Sequence, residues 1–488
     1  MTVEKAARAG AWSALDILLR QGVQFVVTVI LARLLTPEDF GLIALLAFFT
    51  SLSITFVQGG LSMALVQRQD TSHEEESAVF WCNLAASIVF AAILVVIAPV
   101  VAPFYGEPLL QPLMFVAAAQ VVLSALGAVQ TALLTRTLRF DQLTKTGIVS
   151  SLASGVAGVA AAMAGLGVWA LAIQMLVLAA VGSAMLWWVS NWRPAVRVRL
   201  SSVRHLFHFG VFVSLSSVLE VLYQNGFALI IGKFYGVRDL GLFNRAANLQ
   251  GLPTSIISSI ISRIALPLFA ARADDPEALR RGFRMSLSLG MILSMPVMAG
   301  LALLPDLIIL TLFGAQWLPA APLVTIIAIG GMLMPMHAIN IQIVLAQGKS
   351  RLFLKLEIQK KVAGVACLAV GSFFGIEGIA YGVLVFSPIA LFLNARPNRE
   401  SINYGALQQI WGLWDVIAAT VFMSLGVYLI QRWIEFSPLV ELGLLSLSGA
   451  ILYLGFGFLL RLQSFADARE IVKNLLRRVP AARLSGEA

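Results

Sequence analysis

Apolar runs of about twenty residues follow one another from end to end of this chain, and that succession leaves few folds open to it. A helix needs about 20 apolar residues to cross a bilayer. The runs and their polar breaks predict about fourteen spans, at 11–34, 40–66, 78–104, 109–134, 146–164, 167–190, 208–232, 241–268, 285–310, 317–346, 362–375, 378–394, 409–431 and 438–460. Composition agrees: 59% of the 488 residues are hydrophobic and 12% charged, where soluble domains carry about 25% charged residues. An all-α, polytopic membrane protein is the expected fold class. No stretch is long and polar enough for a folded soluble domain.

Loop charges set the orientation. With the N-terminus inside, 27 of the 34 Lys and Arg fall in inside segments, and only Arg33, Lys233, Arg238 and Arg432 fall outside. Arg20, Arg245 and Arg263 lie within spans. Cationic loops are retained on the cytoplasmic side, so both termini are expected there. The net charge of +9 is accounted for by topology, and nucleic acid is not an expected partner. The first apolar run has Lys5 and Arg8 before it but contains Asp16, Arg20, Gln21 and Gln24 and lacks a small-residue cleavage site. It is a retained span rather than a signal peptide.

The chain also repeats itself. Ile30 to Leu42 is ILARLLTPEDFGL and Ile230 to Leu242 is IIGKFYGVRDLGL, with Ile30, Asp39, Gly41 and Leu42 recurring 200 residues on. Both copies follow spans that run from inside to outside, so the halves are parallel, an arrangement found in transporters more than in enzymes. The expected organisation is an N-lobe over 1–190 (spans 1–6), a cytoplasmic linker over 191–206 and a C-lobe over 207–395 (spans 7–12). Spans 13 and 14 fill 396–462, and a basic cytoplasmic tail takes 463–488.

Ionisable groups inside spans are costly and are candidates for function. Asp16, Arg20 and Gln24 fall at i, i+4 and i+8 on one face of the first span, with Arg20 about 14 Å from its inner end. The 200-residue offset aligns them with Ser216, Glu220 and Gln224. Two readings stand side by side: Asp16 and Arg20 neutralise each other, or Arg20 and Glu220 line a hydrophilic cavity. In the second, Arg20 and Gln24 bind an anionic group, with Gln224, Asn225, Asn244 and Arg245 as further substrate-binding groups. Glu220 and Asp16 then take the ion- or proton-coupling role. Arg245 is also placed to snorkel to the outer interface. Asp306 and Asp415 are expected at interfaces, and Glu74, Glu75 and Glu76 at a solvated helix start.

Pro253, Pro296, Pro322, Pro335 and Gly330-Gly331 are expected to permit bending, and the glycines of 154–167 to permit close helix packing. Cys82 and Cys367 give no disulfide framework, and His73, His205, His208 and His337 lack metal-ligand spacing. Gly348 to Ser350 lacks the upstream glycine of a phosphate-binding loop. No HExxH or GxSxG occurs, and the short external loops argue against membrane polymerases and ligases. No enzyme activity and no cofactor are expected.

The segments ARLLTPEDFGL and GLFNRAANLQGLP (Gly241 to Pro253) resemble the Wzx polysaccharide flippases of the multidrug/oligosaccharidyl-lipid/polysaccharide exporter superfamily, nearest to their colanic-acid and exopolysaccharide members. The resemblance covers the chain in length, span count and short loops. It implies two six-helix lobes plus two extra helices, and flipping of undecaprenyl-pyrophosphate-linked oligosaccharide across the bacterial inner membrane. It also implies a cationic cavity, which Arg20 fits, and polysaccharide polymerase and chain-length machinery as partners besides membrane lipids. Within the superfamily, the lipid II flippase and cation-coupled drug antiporters are the alternatives. Arg20 and fourteen spans argue against the antiporter.

Overall fold

The computed structural model describes residues 21–58, 60–68, 70–196, 198, 204–270, 275–460 and 462–466, without the side chains of 204–209, 211–213, 260–264, 266–268 and 270. Asp16 and Arg20 lie outside the described residues, as does the side chain of Arg263. The described helices begin with α1 (Gln21–Leu34), α2 (Pro37–Gln58), α3 (Leu61–Gln67), α4 (His73–Tyr105) and α5 (Leu110–Ala125). Then come α6 (Ala128–Arg136), α7 (Phe140–Met163), α8 (Val168–Val189), α9 (Arg204–Phe234) and α10 (Gly236–Ala270). The second half holds α11 (Pro276–Leu303), α12 (Pro305–Leu312), α13 (Ala321–Gly331), α14 (Met334–Ala346) and α15 (Ser350–Gly371). It closes with α16 (Gly375–Ile402), α17 (Ala406–Trp411), α18 (Trp414–Gln431) and α19 (Pro438–Leu459).

Among the described residues eleven segments are long and apolar enough to cross a membrane, and one of them, Ser350–Ile402, holds both α15 and α16. The all-α membrane fold is as expected, but the fourteen spans are not counted out one for one. The described part of the first span is only Gln21–Leu34, and α10 is long but too polar to be counted. Several expected spans are broken in two: α5 and α6 part at Gly127, and α13 and α14 at Met332–Leu333.

By packing, the chain divides into Met1–Asn244 and Arg245–Ala488. The repeat divides it instead by where a second copy starts, and the two divisions need not coincide. α9 opens the second copy but packs on α2, with Gly232 against Leu45 and Gly210 against Gly60.

The doubled phrase is itself a contact. α2 and α10 begin side by side, and a Cβ on Gly41 would overlap the carbonyl oxygen of Val237. A Cβ on Gly241 would overlap that of Pro37. The relation is reciprocal, since Pro37 and Val237 are themselves 200 residues apart. This is the pattern of a two-fold interface, here between two copies in one chain.

The duplication continues in the turns. Leu138 (φ 57°) and Arg139 (φ −82°, ψ 55°) lead into α7 as Gly348 (φ 68°) and Lys349 (φ −82°, ψ 59°) lead into α15. The following turns hold Gly165 (φ 77°) and Gly375 (φ 81°). Both intervals are 27 residues, at an offset of 210 rather than 200. The second copy has therefore gained ten residues between Gly241 and Gly348, the stretch that holds α12 and the 3-10 turn Ala315–Ala320.

Helix starts account for the acidic echo. Ser72 and Glu75 close a capping box on α4, and Asp275 accepts from the Glu277 and Ala278 amides, each at 3.0 Å, on α11. Two expectations fail here. Glu76 is buried rather than solvated, paired with Arg136 at 2.7 Å and bonded by Thr71 at 3.0 Å. Asp415 is 3% exposed rather than interfacial. It accepts from the Val416 amide and from both the amide and hydroxyl of Ser464, so the segment after α19 folds back onto the start of α18.

The breakers are explained by packing more than by bending. Gly331 leaves room for the Gln250 side chain, and Pro322 and Pro335 sit in first turns of helices, where the missing amide is no loss. Gly155 receives Val27 of α1, and Gly158 receives Gln174 of α8, as expected of close helix packing.

Candidate functional site

Helix α9 presents three faces at about 100° per residue. One packs through Val218 and Gly232. A second, with Leu215, Leu219, Leu222 and Ile230, is apolar and open. The third carries Ser216, Glu220 and Gln224, of which Ser216 and Gln224 are exposed and Glu220 is half-buried. Gln224 donates to the Glu220 carboxylate at 2.7 Å, so two of the expected site residues act as one group. Seven residues beyond Gln224 the same face closes at Ile231, which is wholly buried. Lipid contact suits the leucine face; the open polar face calls for water or a polar ligand. The span Ser214–Phe234 has a mean hydropathy of 1.3, the lowest of the eleven.

Helix α10 carries a parallel device. Asn244, Asn248 and Ser255 lie along one side at i, i+4 and i+11, with Asn248 and Ser255 exposed. Gln250 and Thr254 lie on another side, buried and bonded to each other at 2.8 Å. Asn225 donates to the Val221 carbonyl of its own helix at 3.3 Å, and Gln24 is exposed on α1.

Arg245 does not follow its neighbour Asn244. It is 5% exposed, with its guanidinium between the Phe313 and Trp317 rings, 4.9 Å from each centroid. Both rings are buried as well. Such a cation–π sandwich commits the side chain to packing, so it neither snorkels nor joins the open stripe.

Further polar groups lie where the sequence placed a loop. α15 starts at Ser350, not near 362, so Glu357, Lys360 and Lys361 belong to a membrane-length helix of 22 residues. Glu357 and Lys360 pair at 2.5 Å with side chains 29% and 15% exposed. They share a side of α15 with Leu356, Gly364 and Leu368, all buried. On α14, His337 Nε2 stands 3.4 Å from Ser387 Oγ of α16, while Ser387 donates to the Gly330 carbonyl at 2.7 Å. His337 Nδ1 is buried without a hydrogen-bond partner. Deeper still, Asn340 exchanges two 2.8 Å bonds with Gln409 and accepts from Asn398 at 2.6 Å, a network that ties α14, α16 and α17. The signal for the α15 charges was present, in the 27-residue interval shared with the first copy.

A groove of about 400 Å³ runs along α18, lined by Met295, Met332, Ile417, Val421 and Leu425, with the hydroxyls of Thr420, Ser424 and Tyr428 on one side. Among the described residues no cluster of His, Cys, Asp and Glu is arranged to hold a metal ion.

Comparison with known proteins follows the same lines. A family model described as "Polysaccharide biosynthesis protein" matches residues 30–322. The teichuronic acid biosynthesis protein TuaB of Bacillus subtilis is 28% identical over 72% of this chain and 73% of its own length. The succinoglycan biosynthesis transport protein ExoT of Rhizobium meliloti is 29% identical over 69% and 68%. The lipopolysaccharide biosynthesis protein WzxC of Escherichia coli is 24% identical over 87% and 88%. Among solved structures, the lipid II flippase MurJ in an inward closed conformation aligns with TM-score 0.77 at 13% identity, over 92% of this chain and 99% of its own. An inward-facing MATE family multidrug transporter aligns with TM-score 0.60 at 14% identity, over 82% and 98%. These likenesses share the fold. The family match spans more than half of the sequence, and with the relatives it identifies the chain as a member of the polysaccharide biosynthesis protein family, a multi-pass membrane protein of the Wzx type.

Proposed function

We propose that this protein translocates polyprenyl-pyrophosphate-linked oligosaccharide across the bacterial inner membrane by alternating access, as a transporter rather than an enzyme. Both termini are cytoplasmic in this reading, because the basic segments gather at that end of the helices. The observation that carries it is the open polar face of α9: Ser216, Glu220 and Gln224 stand beside an equally open leucine face on the same helix. A span with one lipid face and one polar face serves a substrate with a lipid part and a sugar part. The stripe on α10, Asn244, Asn248 and Ser255, supplies more of the uncharged donors and acceptors that sugars use. The groove along α18 is apolar enough to take a prenyl chain, and Arg20 is the proposed partner of the pyrophosphate. Polymerase and chain-length proteins are the expected neighbours of such a transporter.

The test is reconstitution in liposomes with lipid-linked oligosaccharide, scoring exposure of the sugar on the opposite leaflet. Glu220→Gln and Arg20→Ala are expected to slow exposure at normal protein levels. Unchanged rates in both would remove α9 and the first span from the site.

A further inference from the structure

The pair Glu357–Lys360 is hard to explain as a surface ion pair. The lipid-open apolar side chains of α15 run from Leu354 through Ile358, Val362 and Val365 to Val370. Glu357 and Lys360 therefore lie at the same height as the helix's own lipid contacts. At 1.5 Å per residue the 22 residues of α15 span about 33 Å, close to the thickness of a bilayer core. Lys360 and Lys361 fall at the centre of that length. The pair faces the α14–α16 side, and its 2.5 Å contact leaves both side chains less than a third exposed. His337 is 11 residues before the Gly348 turn and Lys360 is 12 after it, so the two stand at similar depth on neighbouring helices. Lys360 is near enough to act on His337 electrostatically.

We propose that Glu357 is a proton acceptor exchanged against an anionic substrate group at Lys360. The inference rests on the pyrophosphate-linked substrate proposed above. An anion that engages the Lys360 ammonium takes the counter-charge from Glu357. An unpaired carboxylate at that depth is strongly disfavoured and is neutralised by taking a proton from solvent onto one carboxyl oxygen. When the anion leaves, the proton leaves, and the Glu357–Lys360 pair re-forms. Binding of one pyrophosphate and uptake of one proton are thus linked, with charge conserved at the pair. The titratable and charged groups around Glu357 are Lys360 and Lys361 on its own helix and His337 on α14. α16 offers Ser387 there; it carries no charged side chain between Glu377 and Arg396, and Tyr381 is exposed. The unpartnered Nδ1 of His337 gives the displaced ammonium an alternative acceptor.

The experiment is titration calorimetry of the full chain in lipid nanodiscs with farnesyl pyrophosphate, in two buffers of different ionisation enthalpy at the same pH. The wild type is expected to take up about one proton more per pyrophosphate bound than Glu357→Gln, which still binds. Lys360→Met is expected to weaken binding at least about tenfold. The neutral double variant, Glu357→Gln with Lys360→Met, leaves no unpaired charge and serves if either single variant fails to fold; it is expected to show no linked proton. Equal proton uptake in the wild type and in Glu357→Gln or the double variant overturns the proposal. So does uptake abolished by His337→Gln and retained by Glu357→Gln. A wild type that does not bind the probe defeats the pyrophosphate-linked substrate, and this inference with it, whereas binding without Glu357-dependent uptake defeats the inference alone.

Discussion

The two copies of the doubled phrase are built from nearly the same residues and are stabilised differently. In the first, Thr36 and Asp39 cap α2 reciprocally. The Thr36 amide and hydroxyl donate to the Asp39 carboxylate at 3.0 and 3.1 Å, and the Asp39 amide donates back to the Thr36 hydroxyl at 3.3 Å. In the second, Gly236 stands at the place of Thr36 with φ 88°, and Asp239 has no hydroxyl to meet there. At the next position the copies differ in sign, and Glu38 pairs with Arg238 at 3.4 Å. Only Gly41 and Gly241 do the same work in both, since each backbone fills the space a side chain would take. Where the copies agree, they touch each other; where they differ, the partner copy or the local turn has changed the task.

The largest effect should follow from breaking what the copies share. Gly41→Ala or Gly241→Ala puts a methyl into a carbonyl oxygen of the other copy's start, with backbone on both sides and no flexible side chain to yield. Each is expected to destabilise by at least about 2 kcal/mol, in the range of overpacked cores. Thermal unfolding in detergent checks this, with Gly22→Ala and Gly251→Ala as controls, because neither has an atom within 4 Å of the added methyl. Equal stability of all four variants would remove the crossing as a structural constraint.

Next come the positions where the copies differ along the membrane. Glu220→Gln keeps the bond to Gln224 available but removes the charge, so transport is expected to fall about tenfold, the scale of one lost charged interaction, with thermal unfolding unchanged. Thr36→Ala removes a cap and is expected to cost about 1 kcal/mol. Gly236→Ala, which forces a positive φ on a residue with a Cβ, should cost about the same. If Thr36→Ala is silent, the first copy's turn is held by α2 packing alone. Glu38→Gln should change stability by less than about 0.5 kcal/mol, because both members of that pair are largely exposed.

How much of this was legible in the sequence depended on range. The repeat, the all-helical membrane fold and the polar face of α9 are periodic signals, readable within a few turns of helix. Arg245 was misleading because its aromatic partners lie about 70 residues away, inside the stretch that the second copy gained. α15 was placed about a dozen residues short because Glu357, Lys360 and Lys361 lower the local hydropathy that marks a span. Those charges were the informative feature. The constant 200-residue offset misled in the same region, since beyond Gly348 the true offset is 210. Glu76 and Asp415 looked like interfacial acids because Arg136 and Ser464, which bury them, come from elements 60 and 49 residues on.

The smallest expected effect separates the copies most finely. Asp239 precedes its span, and burial pushes its carboxyl above the usual carboxylate range, with Arg238 opposing in part. A carboxyl whose folded pKa is raised favours the folded state in its protonated form. That contribution is complete below the unfolded carboxylate pKa of about 4 and is lost as pH rises through the folded value. Asp239→Asn stays neutral throughout, so it should flatten this part of the stability curve and stabilise slightly near neutral pH. At the first copy, removing the carboxylate with Asp39→Ala takes away the Thr36 cap and should destabilise near neutral pH, the opposite sign. Thermal unfolding of the two variants and the wild type between pH 4 and about 8 measures both. A loss of stability at neutral pH in Asp239→Asn would mean that the second aspartate still caps its helix as the first does, and that the copies are more alike than their contacts.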